Sequence, residues 1–151
     1  LRTEYFRWRR EQITDFAREA AVECRKLKPG IKISAAVYGK YQTCGDSVGQ
    51  DWGLWLKEGF ADFVCPMNYT NDLERFTAYV RAQTALPASK GRVFPGIGVT
   101  ATESRLDPAQ AIDQIAALRK EGADGFVLFD LSRELEREFL PRLRQGILAE
   151  E

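Results

Sequence analysis

Short apolar runs alternate with capped helical segments along almost the whole chain, and this alternation limits the possible folds more than any other feature. A helix is predicted first, from about Tyr5 to Leu27, with Phe6, Ile13, Phe16, Ala17, Ala20 and Leu27 spaced along one face. Pro29-Gly30 stops it. Four strand-helix units follow. The first strand is Ile31 to Val37, and a polar loop runs from Tyr38 to Gly49. Asp51 caps a short helix, Trp52 to Glu58, which Gly59 ends. The second strand is Asp62 to Met67, running into Asn68-Tyr69-Thr70. Asn71 or Asp72 caps a helix to about Leu86, and Pro87 and Gly91 punctuate the next turn. The third strand is Val93 to Val99. Asp107-Pro108 is a strong helix start, because the side chain caps and the proline ring presets φ. That helix ends at Gly122. The fourth strand is Phe126 to Phe129, and a last helix spans about Glu134 to Leu148.

Strands separated by helices imply parallel pairing with right-handed crossovers. The expected fold class is therefore α/β, with the 151 residues forming one domain. Periodicity leaves two architectures open: an open doubly wound sheet, or part of a closed barrel. The chain opens at Leu1-Arg2-Thr3 with no initiator Met and no signal peptide, so we expect a piece of a longer polypeptide.

Composition narrows the chemistry. The 22 basic and 22 acidic side chains cancel, so no global field draws the chain to nucleic acid or an anionic membrane. The arginines of the first helix alternate with Glu4, Glu11, Glu19 and Glu23, which reads as a solvated face rather than a phosphate-binding patch. No apolar run reaches the roughly 20 residues that span a bilayer. There is no histidine, which removes Ser-His and Cys-His catalysis. Cys24, Cys44 and Cys65 lack metal-ligand spacing, so neither a metal nor another cofactor is expected. Gly96-Ile97-Gly98-Val99-Thr100-Ala101 matches a dinucleotide fingerprint in letters only. The glycines lie within the strand, and the next helix starts at Asp107, too late to meet a pyrophosphate. Close backbone approach is the simpler use of those glycines.

In parallel α/β folds, ligands bind at the C-terminal ends of the strands. There the sequence offers Tyr38, then Asn68-Tyr69-Thr70, then Thr100, Thr102 and Glu103, and finally Asp130 and Ser132. Rings for C–H faces, with amides, hydroxyls and carboxylates for hydroxyl groups, suit a sugar. We therefore expect Tyr38, Asn68 and Tyr69 to bind substrate, and Asp130 and Glu103 to supply carboxylate chemistry. Asp130 has one competing role, capping the segment that leads to the last helix. Trp52 and Trp55, three apart on a short helix, are read as core rather than as stacking platforms.

The run Gln50-Asp51-Trp52-Gly53-Leu54-Trp55, followed by Gly59-Phe60-Ala61-Asp62-Phe63-Val64-Cys65-Pro66-Met67-Asn68-Tyr69-Thr70, resembles the glycosyl hydrolase-like family 10 domain. The flanks are also similar: Trp8 to Ile13, Pro29 to Ser34, Pro95 to Gly98 and Gly122 to Phe129. The resemblance implies a parallel (β/α) half-barrel, corresponding to strands 5–8 of a TIM barrel and preceded by a helix. It implies action on an oligo- or polysaccharide and an extracytoplasmic setting. The family places an acidic segment near the end of its fourth strand, and no such segment occurs here. The resemblance therefore implies that the main catalytic acid lies upstream of Leu1, that the partner is the N-terminal half of the barrel, and that the chain is inactive alone. A non-catalytic carbohydrate-binding barrel and a free-standing flavodoxin-like ligand-binding domain are the alternatives.

Overall fold

A computed structural model describes residues 1–86 and 91–147; the expected turn residue Pro87 and the expected helix end Leu148 lie outside them. Helix α1 covers Arg2–Leu27 and leads to strand β1, Ser34–Tyr38. Helices α2 (Tyr41–Ser47) and α3 (Trp52–Glu58) precede β2, Phe63–Met67. Helix α4 is Leu73–Thr84. Strands β3 (Arg92–Val93), β4 (Gly96–Gly98), β5 (Thr100–Ala101) and β6 (Ser104–Arg105) come next. Helix α5 is Pro108–Lys120 and strand β7 is Val127–Phe129. A π-helical turn, Leu135–Phe139, runs into α6, Leu140–Gln145.

The main sheet is parallel with order β1-β2-β4-β7, and β3 also pairs with β2. The strands therefore lie side by side in chain order, without the reversal that a doubly wound sheet requires. The expected third strand is split into β3 and β4 by Pro95, which has no N–H for the ladder. Its carbonyl still accepts from Val127 at 3.1 Å, so the path of the strand continues.

Burial alternates with period two along β1, β2 and β7, whereas all three residues of β4 are buried. Val37, Val64 and Ile97 are fully buried, and Leu128 packs beside them. On this face the helices gather into two clusters. Val37 and Val64 sit with Cys44 of α2 and with Trp52, Trp55 and Leu56 of α3. Ile97 sits with Phe76 and Val80 of α4, with Ile115 and Leu118 of α5, and with Phe139 and Leu143. Both tryptophans are core, as expected; Trp55 also donates through Nε1 to Thr14 Oγ1 at 3.0 Å. The opposite face carries Ser34, Ala36, Tyr38, Phe63, Cys65, Met67, Val127 and Phe129, and none of these is buried.

Several local expectations are corrected. Ile31 to Ile33 precede the first strand, although Ile33 O already accepts from Asp62 N at 2.8 Å. The supposed loop from Tyr38 to Gly49 contains α2, which buries Cys44. On α1 the packed stripe includes Ile13, Ala17 and Ala21, whereas Phe16 and Leu27 face outward. Phe16 neighbours Ala17 in sequence, so the helical turn of about 100° per residue carries it off the stripe. The last helix opens as a π turn, with Leu140 N–H reaching Leu135 O. Pro141 follows immediately and has no N–H to continue a regular ladder. The α1 arginines are not uniformly solvated: Arg10 pairs with Asp46, and Arg25 with Asp62.

Candidate functional site

Because the strands are parallel, their C-terminal ends share one rim. Tyr38 ends β1 opposite Met67 of β2, with its side chain 51% exposed on the helix-free face. Its N–H donates to Gln50 Oε1 at 2.8 Å, so Gln50, just before α3, fixes the end of that strand.

Asn68 lies just past β2 and is fully buried. Its Nδ2 donates to Gln83 Oε1 at 3.0 Å, and its Oδ1 accepts from Gln83 Nε2 at 2.8 Å. Gln83 Nε2 also donates to Gly39 O at 2.7 Å. The two amides thus satisfy each other and tie the ends of β1 and β2 to α4. A Cβ at Gly39 would stand 2.3 Å from Asn68 Oδ1, so this approach requires a glycine. In this arrangement Asn68 supports the rim from below. A second buried glutamine, Gln114 of α5, donates to Thr70 O at 2.8 Å and holds the next stretch of loop.

Tyr69 lies on the open face. Its ring covers the backbone of β4: a Cβ at Gly96 would come 3.1 Å from Tyr69 Cε1, and one at Gly98 would come 2.9 Å from Cγ and Cδ1. The two glycines lie two apart on the same face, and their missing side chains leave a slot for a flat ring. Tyr69 stacks on Phe129 of β7, with centroids 5.2 Å apart and planes 23° apart. Burial raises the Tyr69 hydroxyl above its ordinary pKa, and the Cys65 thiol and Glu103 carboxylate act in the same direction.

Glu103 sits at the tip of the antiparallel β5–β6 hairpin, exposed and near enough to Tyr69 for its charge to act on that ring. The hairpin is anchored from two sides. Ser104 Oγ donates to Gly98 O at 2.7 Å, and Asn71 Nδ2 donates to Arg105 O at 2.8 Å.

Asp130 directly follows β7 and is exposed. Thr100 Oγ1 donates to Asp130 Oδ1, and Asp130 N–H donates back to Thr100 Oγ1 at 3.3 Å. Asp130 does not cap the last helical segment. Ser132 does, through Oγ accepting from Leu135 N at 3.1 Å. The structure therefore brings Tyr69, Glu103 and Asp130 to one stretch of rim. Tyr38 stands on the same face at the far strand, and Asn68 lies beneath the rim. The sequence assigns no role at the rim to Gln50, Gln83 or Phe129. The one local signal was Gln83 in helical register with Phe76 and Val80.

Among the described residues, no group of three or more Cys, Asp or Glu side chains is placed to hold a metal, and no helix is long and apolar enough to cross a membrane. Comparison with known families matches residues 2–94, well over half the chain, to the family described as Glycosyl hydrolase-like 10. The match includes Tyr38, Asn68 and Tyr69; Thr100, Glu103, Phe129 and Asp130 lie beyond it. No curated protein and no solved structure matches the chain.

Proposed function

Since the chain belongs to the glycosyl hydrolase-like 10 family, we propose that it forms strand-helix units five to eight of a (β/α)₈ barrel that acts on an oligo- or polysaccharide. Its partner in this reading is the first four units of the barrel. The observation that carries the site is the placing of Asp130. It stands exposed at the C-terminal rim, beside the stacked Tyr69–Phe129 pair, and another residue does the helix capping that would otherwise explain it.

Glycosidic hydrolysis commonly uses two carboxylates flanking the bond. Asp130 and Glu103 are this chain's contribution, and the principal acid comes from the other half. Tyr38 and Tyr69 offer ring faces to sugar C–H groups. Asn68 contributes by holding the rim in place. The one-sided cover of the sheet supports the barrel: in a closed barrel, helices pack outside and the inner face is filled by side chains from all eight strands.

The test assembles this chain with the first four units of a family barrel and assays release of reducing ends from a polysaccharide panel. Hydrolysis that is lost in Asp130→Asn, at an unchanged melting temperature, is expected. Full activity in Asp130→Asn together with a lower melting temperature would remove Asp130 from the site. Retention of a glycan with no cleavage by any preparation would favour the non-catalytic binding barrel.

A further inference from the structure

We propose that Thr100 is the positioning residue for the Asp130 carboxylate, an inference that rests on the carbohydrate-site reading above. The two residues are thirty positions apart and meet because the ladder between β4 and β7 runs one step past its last paired residues: Val99 N–H donates to Phe129 O at 2.7 Å. The next residue on each side is then Thr100 and Asp130.

A hydroxyl has one proton to donate and lone pairs to accept with. Thr100 uses both on the same neighbour. Its proton goes to Asp130 Oδ1, and a lone pair receives the Asp130 N–H. The carboxylate is thereby fixed relative to its own backbone, which removes rotational freedom that an exposed aspartate otherwise keeps. Asp130 Oδ2 has no hydrogen-bond partner among the described residues, so one oxygen is held while the other stays open to a ligand hydroxyl.

Thr100 is itself held. It begins the β5–β6 hairpin, where it pairs with Arg105. The hairpin is clamped to β4 by Ser104 Oγ on Gly98 O and by Leu106 N–H on Val99 O at 3.2 Å. Preorganisation of this kind, in which a reacting group is oriented by a second side chain whose own place is fixed by packing, is what productive site geometry demands.

The alternative is that Thr100 only fastens β4 to β7. Three variants separate the two roles in the chain assembled with the first four strand-helix units of a family barrel: Thr100→Val, Thr100→Ala and Thr100→Ser. Crystal structures read the carboxylate directly. Removing the hydroxyl should release Asp130 from its present rotamer while the Val99–Phe129 bond stays intact, and Thr100→Ser should restore the native position. Thr100→Ala serves if Thr100→Val does not fold. Binding to immobilised cello-, xylo- and chito-oligosaccharides reads the consequence. Thr100→Val should weaken retention roughly tenfold, as expected for loss of one charge-assisted hydrogen bond. The Thr100→Val/Asp130→Asn double variant should be no weaker than Asp130→Asn alone, because the two changes remove one interaction. An Asp130 carboxylate that keeps its place in both hydroxyl-free variants overturns the proposal. So does additive loss in the double variant. A carboxylate that moves as expected in a protein that retains none of the glycans supports the positioning role and rejects the carbohydrate reading instead.

Discussion

The two faces of the main sheet are built from the same five strands but differ in what covers them. On one face Val37, Val64 and Ile97 are fully buried beneath helices. On the other, Tyr38, Val127 and Phe129 are 51%, 38% and 45% exposed. Folding energy comes mainly from apolar area removed from water, about 25 cal/mol per Å². The helix-covered face therefore holds the chain together. The open face holds the aromatic pair and the β4 glycines, with the carboxylates at its C-terminal rim, and its apolar side chains are exposed. An exposed apolar surface beside sheet edges that are unpaired among the described residues invites association. Under the proposed function, the contrast assigns stability to one face and recognition to the other.

The largest expected effect breaks that contrast most easily. Phe76→Ala, on the covered face, should cost about 3–5 kcal/mol in urea unfolding, through lost burial and the cavity left behind. Phe129→Ala, on the open face of the isolated chain, should cost about 1 kcal/mol, the stacking with Tyr69 being its main loss. Equal costs would mean that the two faces do not divide the work.

Gly98→Ala probes the open face from beneath. Its Cβ would meet Ser104 Oγ at 2.3 Å and the Tyr69 ring at 2.9 Å. A loss of about 1–3 kcal/mol is expected from overpacking. Part of it should vanish in a Tyr69→Ala background, which empties the slot but leaves the Ser104 Oγ contact in place. Persistence of the full cost there would show that the glycine serves the hairpin and not the ring.

A smaller, pH-dependent effect belongs to the end of the strands opposite the rim. The Asp62 carboxyl is held below its ordinary pKa, chiefly by the Ile33 N–H at 2.8 Å and then by Arg25 and Lys32, with burial opposing. A carboxyl with a depressed pKa adds stability above its unfolded value, roughly pH 4, and that stability disappears as pH falls through the folded value. Asp62→Asn should therefore cost about 1 kcal/mol at pH 7. The gap from wild type should close on acidification. A gap that is constant from neutral to acidic pH would assign the effect to packing.

How much of this was legible beforehand follows from the range of each interaction. Caps are local, so Asp51 and Asp107 are legible as helix starts, and the sequence narrows the third to Asn71 or Asp72, of which Asp72 caps. Each accepts a backbone N–H three residues on, and Asp107 forms a full capping box with Gln110. Parallel pairing followed from repeated strand-helix units, and sequential strand order from the family resemblance. Helix α2 was missed because Lys40 gives no side-chain cap and Gly45 interrupts the helical signal. The β5–β6 hairpin was missed because its clamps come from Gly98 and Asn71, not from a turn motif. The burial of Asn68 depends on Gln83, fifteen residues away, and the setting of Asp130 depends on Thr100, thirty away. No periodicity records such pairs. In the sequence Phe129 is one more apolar strand residue, since only the fold reveals which face it occupies.

The open face as the inner wall of a barrel is the central claim, and its most direct test is to supply the other wall. The chain is produced alone and together with the first four strand-helix units of a family barrel, and both preparations are compared by light scattering and hydroxyl-radical footprinting. The account predicts that the isolated chain self-associates, and that the pair forms a soluble one-to-one complex in which Val127 and Phe129 become protected. A chain that remains monomeric at high concentration, with both residues equally reactive in the presence and absence of its partner, would contradict it.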